Sequence, residues 1–223
     1  MIDITFDLET CARCPNAAVM SIAAQVWNRH ANRSPFIEWH PDAEPRYKTF
    51  CSHIDLRGMF LDGFTFDNAT AQWWEQQSHE AKAAVLANDS DDSPCVPINT
   101  AIENFFDWIK EVSQETSNSD EVYLWSQGTD FDVAILRNIC YRYCIEVPVK
   151  YTNYRDHRTF FLEGAKTICD VAGSDFDPKH AYMLVDEYDG EGVKHSPLFD
   201  CCRSIYSTWQ MMTHLRCLGK SGD

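Results

Sequence analysis

Ile2-Asp3-Ile4-Thr5-Phe6-Asp7-Leu8-Glu9-Thr10 is the stretch whose reading decides the fold. Ile2, Ile4 and Phe6 alternate with Asp3, Thr5 and Asp7, the period of a half-buried strand. The strand ends on two carboxylates, Asp7 and Glu9, which lie two residues apart and so point to the same face. Their companions of that parity, Asp3 and Thr5, are more polar than the opposite set. Two close carboxylates repel each other unless a cation lies between them. An isolated Asp-x-Glu also occurs at solvated strand ends, so the pair gains meaning only from what the rest of the chain sets beside it.

Downstream, residues 17–27 form a second apolar run and residues 47–54 a third, joined by a polar, Pro-containing connection over 28–46. The pattern turns helical over 68–87, where Asp67 or Asn68 can cap and Trp73-Trp74 is followed by Ala-rich sequence. Residues 88–93 read as an acidic loop. Ile98, Ile102, Phe105, Phe106, Ile109 and Val112 recur at helical spacing. Residues 121–126 read as the next strand, and Asp130 can cap a helix carrying Ile135, Leu136, Ile139 and Tyr143. Residues 147–151 can supply a fifth strand, with a short helix near 159–164 and an acidic, Gly-containing stretch at 186–192. Pro197 suits the first turn of a long helix through Ile205, Trp209, Met212 and Leu215. No repeat or linker stands out. Residues 1–223 are therefore expected to form a single α/β domain, a mixed five-stranded sheet flanked by helices.

The 223 residues are 44% hydrophobic, enough for a substantial core. They carry 19 Lys and Arg against 34 Asp and Glu, a net charge of −15. That balance excludes a protein that coats nucleic acid by general electrostatics, because phosphate binding needs Lys and Arg. It leaves open a nuclease whose carboxylates hold metal ions, since the cations then bring positive charge to the phosphate. A footprint of a few nucleotides is expected. No run approaches a membrane span, and the N-terminus has no charged head followed by an apolar stretch. A soluble, cytoplasmic protein with no membrane partner is expected. Most of the ten cysteines lie in apolar stretches (Cys51, Cys140, Cys144, Cys169, Cys202) and read as reduced, small hydrophobes. Cys11-x-x-Cys14 has the spacing of half a zinc site or a redox pair, but no second Cys or His pair at zinc-finger spacing accompanies it.

Two further motifs give the first pair its context. Asp132 stands in Gly128-Thr129-Asp130-Phe131-Asp132, just after a strand. Acidic residues favour helix N-termini for their dipole alone. Asp130 fits that capping role and leaves Asp132 as the candidate ligand, while Gly128 lets a substrate strand pass closely. His195 and Asp200 stand in His195-Ser196-Pro197-Leu198-Phe199-Asp200, a loop histidine ahead of a carboxylate held about one turn inside a helix. Imidazole, titrating near ~6.5, suits a base that deprotonates water. His180, like His195 preceded by Lys, is the rival. Four carboxylates and one imidazole are what two divalent cations and a water-activating base need to cut a phosphodiester.

Phe-Asp-Leu-Glu-Thr, Gly-Thr-Asp-Phe-Asp and His-Ser-Pro-Leu-Phe-Asp resemble, in order and spacing, the three motifs of the DEDDh 3′–5′ exonucleases, a branch of the ribonuclease-H-like superfamily. Pro197 stands where that family usually has Ala. A finer resemblance is to the stand-alone phage and mycobacterial-type exonucleases and exoribonucleases. It rests on the Trp73-Trp74 helix, the Gly-x-x-Phe-Asp second motif and Arg155-Asp156-His157-Arg158-Thr159 before a helix. Helical Trp residues are more often core, so neither Trp receives a site role here.

The resemblance implies a ribonuclease-H-like fold and two Mg²⁺ or Mn²⁺ ions. Asp7, Glu9 and Asp200 would hold the first ion, Asp7 would reach the second, and Asp132 would assist through water. His195 would be the base, and nucleoside 5′-monophosphates would leave from the 3′ end of DNA or RNA. Leu8, Thr10 and Phe131 are expected beside the terminal nucleotide and Gly128 under the substrate strand. Apart from the resemblance, the local basic cluster Arg155, His157 and Arg158 is expected either to meet upstream phosphates or to balance neighbouring acids on the surface. The implied partner is single-stranded or 3′-overhang nucleic acid, and a homodimer is compatible. The alternative is a catalytically inactive acidic interaction protein or nucleic-acid mimic on the same fold, which the charge favours a little and the intact five-residue set disfavours. DNA against RNA stays open, because 2′-OH recognition depends on pocket shape.

Overall fold

In the computed structural model, which describes residues 2–36, 49–86, 94–115 and 121–220, the opening stretch becomes β1 (Ile2–Thr10). It is the central strand of a five-stranded sheet ordered β3-β2-β1-β4-β5. β2 (Val19–Trp27) runs antiparallel to β1, and β3 (Thr49–His53) antiparallel to β2. β4 (Val122–Ser126) and β5 (Tyr154–Asp156) run parallel to β1 and to each other. β2 is buried along its whole length, which is why it reads as a continuous apolar run without alternation.

The two faces of the sheet are covered by different helices. Ile4, Phe6 and Leu8 pack with Ile102 and Phe105 of α4 (Ile98–Glu115) and Leu136 of α5 (Ala134–Tyr143). On the opposite face Trp27 and Trp125 pack with Ile205 and Trp209 of α7 (Pro197–Lys220), beside α6 (His157–Ala172). Asp3 belongs to this second face and is nevertheless buried. Its carboxylate accepts from Trp125 Nε1 at 2.8 Å and is gripped by the Arg29 guanidinium. The polar parity of β1 thus serves a buried ion pair at one end and the carboxylate site at the other.

Three short helices follow β3: α1 (Leu56–Leu61), α2 (Asn68–Glu75) and α3 (His79–Val85). The helical pattern of 68–87 is therefore two helices. Asp67 caps α2 by accepting from Thr70 N at 2.7 Å, and Ser78 caps α3 by accepting from Ala81 N at 3.1 Å. The fifth strand is not at 147–151. Val149 is buried in the core, and a 3₁₀ turn at Tyr151–Asn153 delivers the chain to β5. Asn153 Nδ2 secures that turn on the Val122 carbonyl at 3.1 Å. The helix expected near 159–164 starts earlier and runs 16 residues. The 88–93 loop and residues 37–46 of the long connection lie outside the described residues, as do positions 47 and 48 of the expected third strand. No helix among the described residues is long and apolar enough to cross a membrane.

Candidate active site

β1 outlasts its parallel neighbour. The β1–β4 register ends at Thr5 opposite Trp125, so Asp7, Leu8 and Glu9 extend past the paired segment. A register shift against β2 between Glu9 and Thr10 turns the strand end further. β4 meanwhile exits through Gly128 into a π-helical turn at Thr129–Val133, a locally widened, underwound turn of a kind that often marks functional positions. The expected cap by Asp130 is not made. The Thr129 N–H is taken instead by Asp156, at 2.7 Å, which also caps α6 through Thr159 N at 2.8 Å. The turn carries Asp132 inward, where it is 2% exposed and feels the backbone N–H of Leu8. That amide lies between Asp7 and Glu9 in the chain. A Cβ on Gly128 would stand 3.3 Å from Asp130 Oδ1, so this corner has little room for a side chain.

The third part is the start of α7. Asp200 sits in its first turn, with Oδ2 at 3.8 Å from His195 Nδ1 and Oδ1 at 3.4 Å from Arg203 Nη2. That Oδ1 is buried and accepts no hydrogen bond. His195 has φ +68, a left-handed backbone that a non-glycine residue adopts at a cost. The Ser196 N–H bonds the Val193 carbonyl at 2.9 Å to close this turn. The imidazole meets the Trp73 ring edge-on, with centroids 4.9 Å apart.

The acids feel one another. Asp7 is raised well above the usual carboxylate range by burial, then by Asp132, Glu9 and Asp200, with Arg203 opposing. Glu9 is pushed up to about 8 by burial, then by Asp200 and Asp132. Asp132 rises to about 7 through burial, although the Leu8 N–H opposes the shift. Among the described residues no three acidic, histidine or cysteine side chains stand close enough to form a ready-made coordination shell. The donor set is nonetheless all oxygen, as hard divalent cations prefer, and includes Asp200 Oδ1, a buried carboxylate oxygen that accepts no hydrogen bond.

The raised values make a stability prediction. A carboxyl that binds its proton more tightly when folded favours the fold at low pH, and the advantage is lost as pH rises through the folded pKa. His157 works in the opposite direction: burial lowers it to about 3, so its contribution is lost as pH falls below its unfolded value near ~6.5. Above that value the carboxylates act in one direction with the buried thiols, which burial also pushes up and which begin to add to the loss near ~8.5. In chelator, the melting temperature should therefore be higher at about pH 6.5 than at about pH 8.5. A melting temperature that rises over that interval would mean the acids are not strained.

Beside Glu9 lies a cavity of about 350 Å³ lined by Leu8, Thr10, Phe131, Arg13, Trp73 and Trp74. It brings together the three residues expected near a terminal nucleotide and adds three to which the sequence had given no role. Trp74 Nε1 donates to the Thr10 carbonyl at 3.1 Å, fixing α2 against the end of β1. Trp73 is 41% exposed.

The expected basic cluster is dispersed. His157 is buried, sandwiched by hydrogen bonds to Thr5 Oγ1 at 2.8 Å and Thr208 Oγ1 at 2.7 Å. Arg155 lies over the Tyr123 ring and donates to the carbonyls of Thr152 and Tyr154. Arg158 alone is exposed, near Gly128. Cys11 and Cys14 are unbridged, and burial pushes the Cys11 thiol up to about 11, away from metal or redox reactivity. Asp156 and Arg203 went unassigned in the sequence. The signals were present as an Asp-x-x-Thr cap and a three-residue helical step from Asp200.

A family model described as "3'-5' exoribonuclease Rv2179c-like domain" matches residues 2–207. Among solved structures, cell-death related nuclease 4 (CRN-4) superposes with a TM-score of 0.56 at 13% identity, covering 96% of this chain and 64% of that one. The nuclease domain of 3'hExo, a DEDDh family member, bound to rAMP, gives 0.56 at 11% identity, covering 96% and 92%. The chain thus spans just under two thirds of CRN-4 and most of the 3'hExo domain. At such identities the likeness is one of fold. No curated protein sequence matches the chain.

Proposed function

The chain belongs to the Rv2179c-like 3′–5′ exoribonuclease domain family, and from that premise we propose that it is a metal-dependent 3′–5′ exonuclease acting on single-stranded or 3′-overhang RNA. Its mixed sheet flanked by helices is the fold of the DEDDh exonucleases. The observation that carries the reading is the burial of Asp132 within the electrostatic reach of Asp7, Glu9 and Asp200. An acidic surface protein gains nothing from raising its own carboxyls by burial, whereas a cation relieves that strain.

DEDDh exonucleases generally use divalent metal ions. Here Asp7, Glu9 and Asp200 would hold them, with Asp132 behind. Two Mg²⁺ or Mn²⁺ ions, when bound, supply charge that stabilises the attacking and leaving oxygens of the displacement. The chain's own groups do the rest. His195, on its left-handed turn beside Asp200, accepts the proton of the attacking water. Leu8, Thr10 and Phe131, with the exposed face of Trp73, hold the terminal nucleotide beside Glu9. Gly128 and Arg158 border the turn that carries Asp132, where a substrate backbone can approach. Arg155, committed to Tyr123 and two carbonyls, contributes less.

The test uses single-stranded RNA, single-stranded DNA and 3′-overhang RNA duplexes, each labelled at the 5′ end. Shortening from the 3′ end with release of nucleoside 5′-monophosphates is expected in Mg²⁺ or Mn²⁺, faster on RNA, and absent in chelator. Internal cuts, or cleavage that survives chelation, would overturn the mechanism. Faster loss of DNA would reverse the substrate assignment, and no cleavage of any substrate would favour the inactive acidic mimic.

A further inference from the structure

Two cavities lie near the four acids, one lined in part by Glu9 and the other by Arg203, the ion-pair partner of Asp200. The first is the terminal pocket between β1 and α2. The second, about 510 Å³, lies between the exit of β4, α6, the 3₁₀ turn Pro178–Leu184 and α7. Gln127, Phe161, Tyr182, Arg203, Ser204 and Ser207 are among its lining residues. Gln127 directly precedes Gly128, which opens the turn bearing Asp132. Arg203 reaches back to Asp200 at 3.4 Å. Because β4 lies next to β1 in the sheet, a path from the first cavity to the second crosses the strand ends where the acids lie. A 3′-terminal nucleotide in the first cavity would have its 5′ phosphate near those acids and its neighbour toward the second.

We propose that this second cavity is the subsite for the nucleotide on the leaving side of the scissile bond, taking its base and sugar. The inference rests on the exonuclease reading and deepens it. The chemistry of the walls fits a nucleoside. Tyr182 stacks on Phe161 with ring centroids 4.3 Å apart and planes 11° from parallel, yet stays 47% exposed. It is a rigid aromatic surface on which a base of any identity can stack. Gln127 is held in place, accepting from Ser204 Oγ at 3.0 Å and donating to the Tyr182 hydroxyl at 3.3 Å. With Ser207 these groups offer donors and acceptors to a base edge or a sugar hydroxyl. Arg203 stands on the side of the acids and suits the phosphate. Asp186 and Glu187 on the wall repel one, which keeps the phosphate out of the cavity and the base and sugar in it. The volume falls within the ~300–1,000 Å³ of small-ligand clefts.

The p-nitrophenyl ester of a nucleoside 5′-monophosphate separates this subsite from the chemistry. Its hydrolysis breaks the same phosphorus–oxygen bond, but p-nitrophenolate leaves in place of a nucleotide. The uridine and thymidine esters are compared with the corresponding dinucleotides in Mn²⁺. Tyr182→Ala and Gln127→Ala remove the stacking surface and the anchored amide, and Ser207→Phe fills the space. Dinucleotide kcat/KM should fall about five- to hundredfold in Tyr182→Ala, the range that loss of one base stack commands. The fall should lie mainly in KM, as lost ground-state binding does. Ester hydrolysis should stay within about twofold of the parent. If Ser207→Phe fails to fold, Tyr182→Ala still decides, since that side chain is half exposed. Equal losses on ester and dinucleotide would reduce these residues to a structural role, and an unchanged dinucleotide would place the cavity off the substrate path. A parent chain that hydrolyses neither substrate would remove the exonuclease reading, and this subsite with it.

Discussion

Asp7→Ala and Asp200→Ala are each expected to lower cleavage by at least about 10³-fold while the protein stays folded, because several kcal/mol of transition-state stabilisation depend on the ions these side chains would hold. The structure adds a second, opposite expectation. Asp7 lies where burial and three other carboxylates all disfavour its charge. Removing it in the absence of metal takes away a strained group and none of the apolar core. The melting temperature in chelator should therefore equal or exceed that of the parent for Asp7→Ala. Added Mn²⁺ should raise the parent's melting temperature and leave the variant's nearly unmoved, since a ligand that binds only the folded state stabilises it by mass action. Both measurements are needed. A variant that keeps near-parental activity would remove the carboxylates from the chemistry. A variant that loses activity and melts well below the parent would show that Asp7 is structural.

The stretch from Ile2 to Thr10 carried most of the fold because strand alternation is a local property, and here the alternating set faces a core built by α4 and α5. The same logic failed at residues 147–151. Val147 and Val149 are apolar because they pack against the main core. What makes the fifth strand is parallel pairing of Tyr154–Asp156 with β4, which has no local signature. The candidate site divides in the same way. The identities of the acids were legible, since few other residue types can hold hard cations. Their supports were not. Asp156 serves two amides from different elements, Thr129 and Thr159, and no sequence period joins them. His157 reads as one member of a basic triplet, yet three-dimensional packing puts it between Thr5 and Thr208 with its charge suppressed. Arg155 and Arg158, three residues apart, end in different environments because β5 gives way to α6 between them.

His195→Asn is expected to lower turnover by ~10²–10⁴-fold, the usual worth of a general base, with little change in metal affinity. Asn is chosen because it tolerates the left-handed backbone that position 195 requires; the loop should keep its shape while the imidazole disappears. Calorimetric titration with Mn²⁺ then separates the roles. His195 Nδ1 stands 3.8 Å from Asp200 Oδ2, a distance that makes it a neighbour of the carboxylates rather than a partner they depend on. Its ring packs on Trp73 instead. The kinetic loss should shrink toward alkaline pH, because hydroxide itself then replaces the base, whereas a loss caused by a displaced loop would persist at every pH. His180 provides the control. It is exposed and pairs with Asp177 at 2.9 Å on the 3₁₀ turn Pro178–Leu184, so His180→Ala should leave turnover unchanged. A larger loss at His180 than at His195, or a His195→Asn variant that binds Mn²⁺ much more weakly, would reassign the base and return His195 to the metal site.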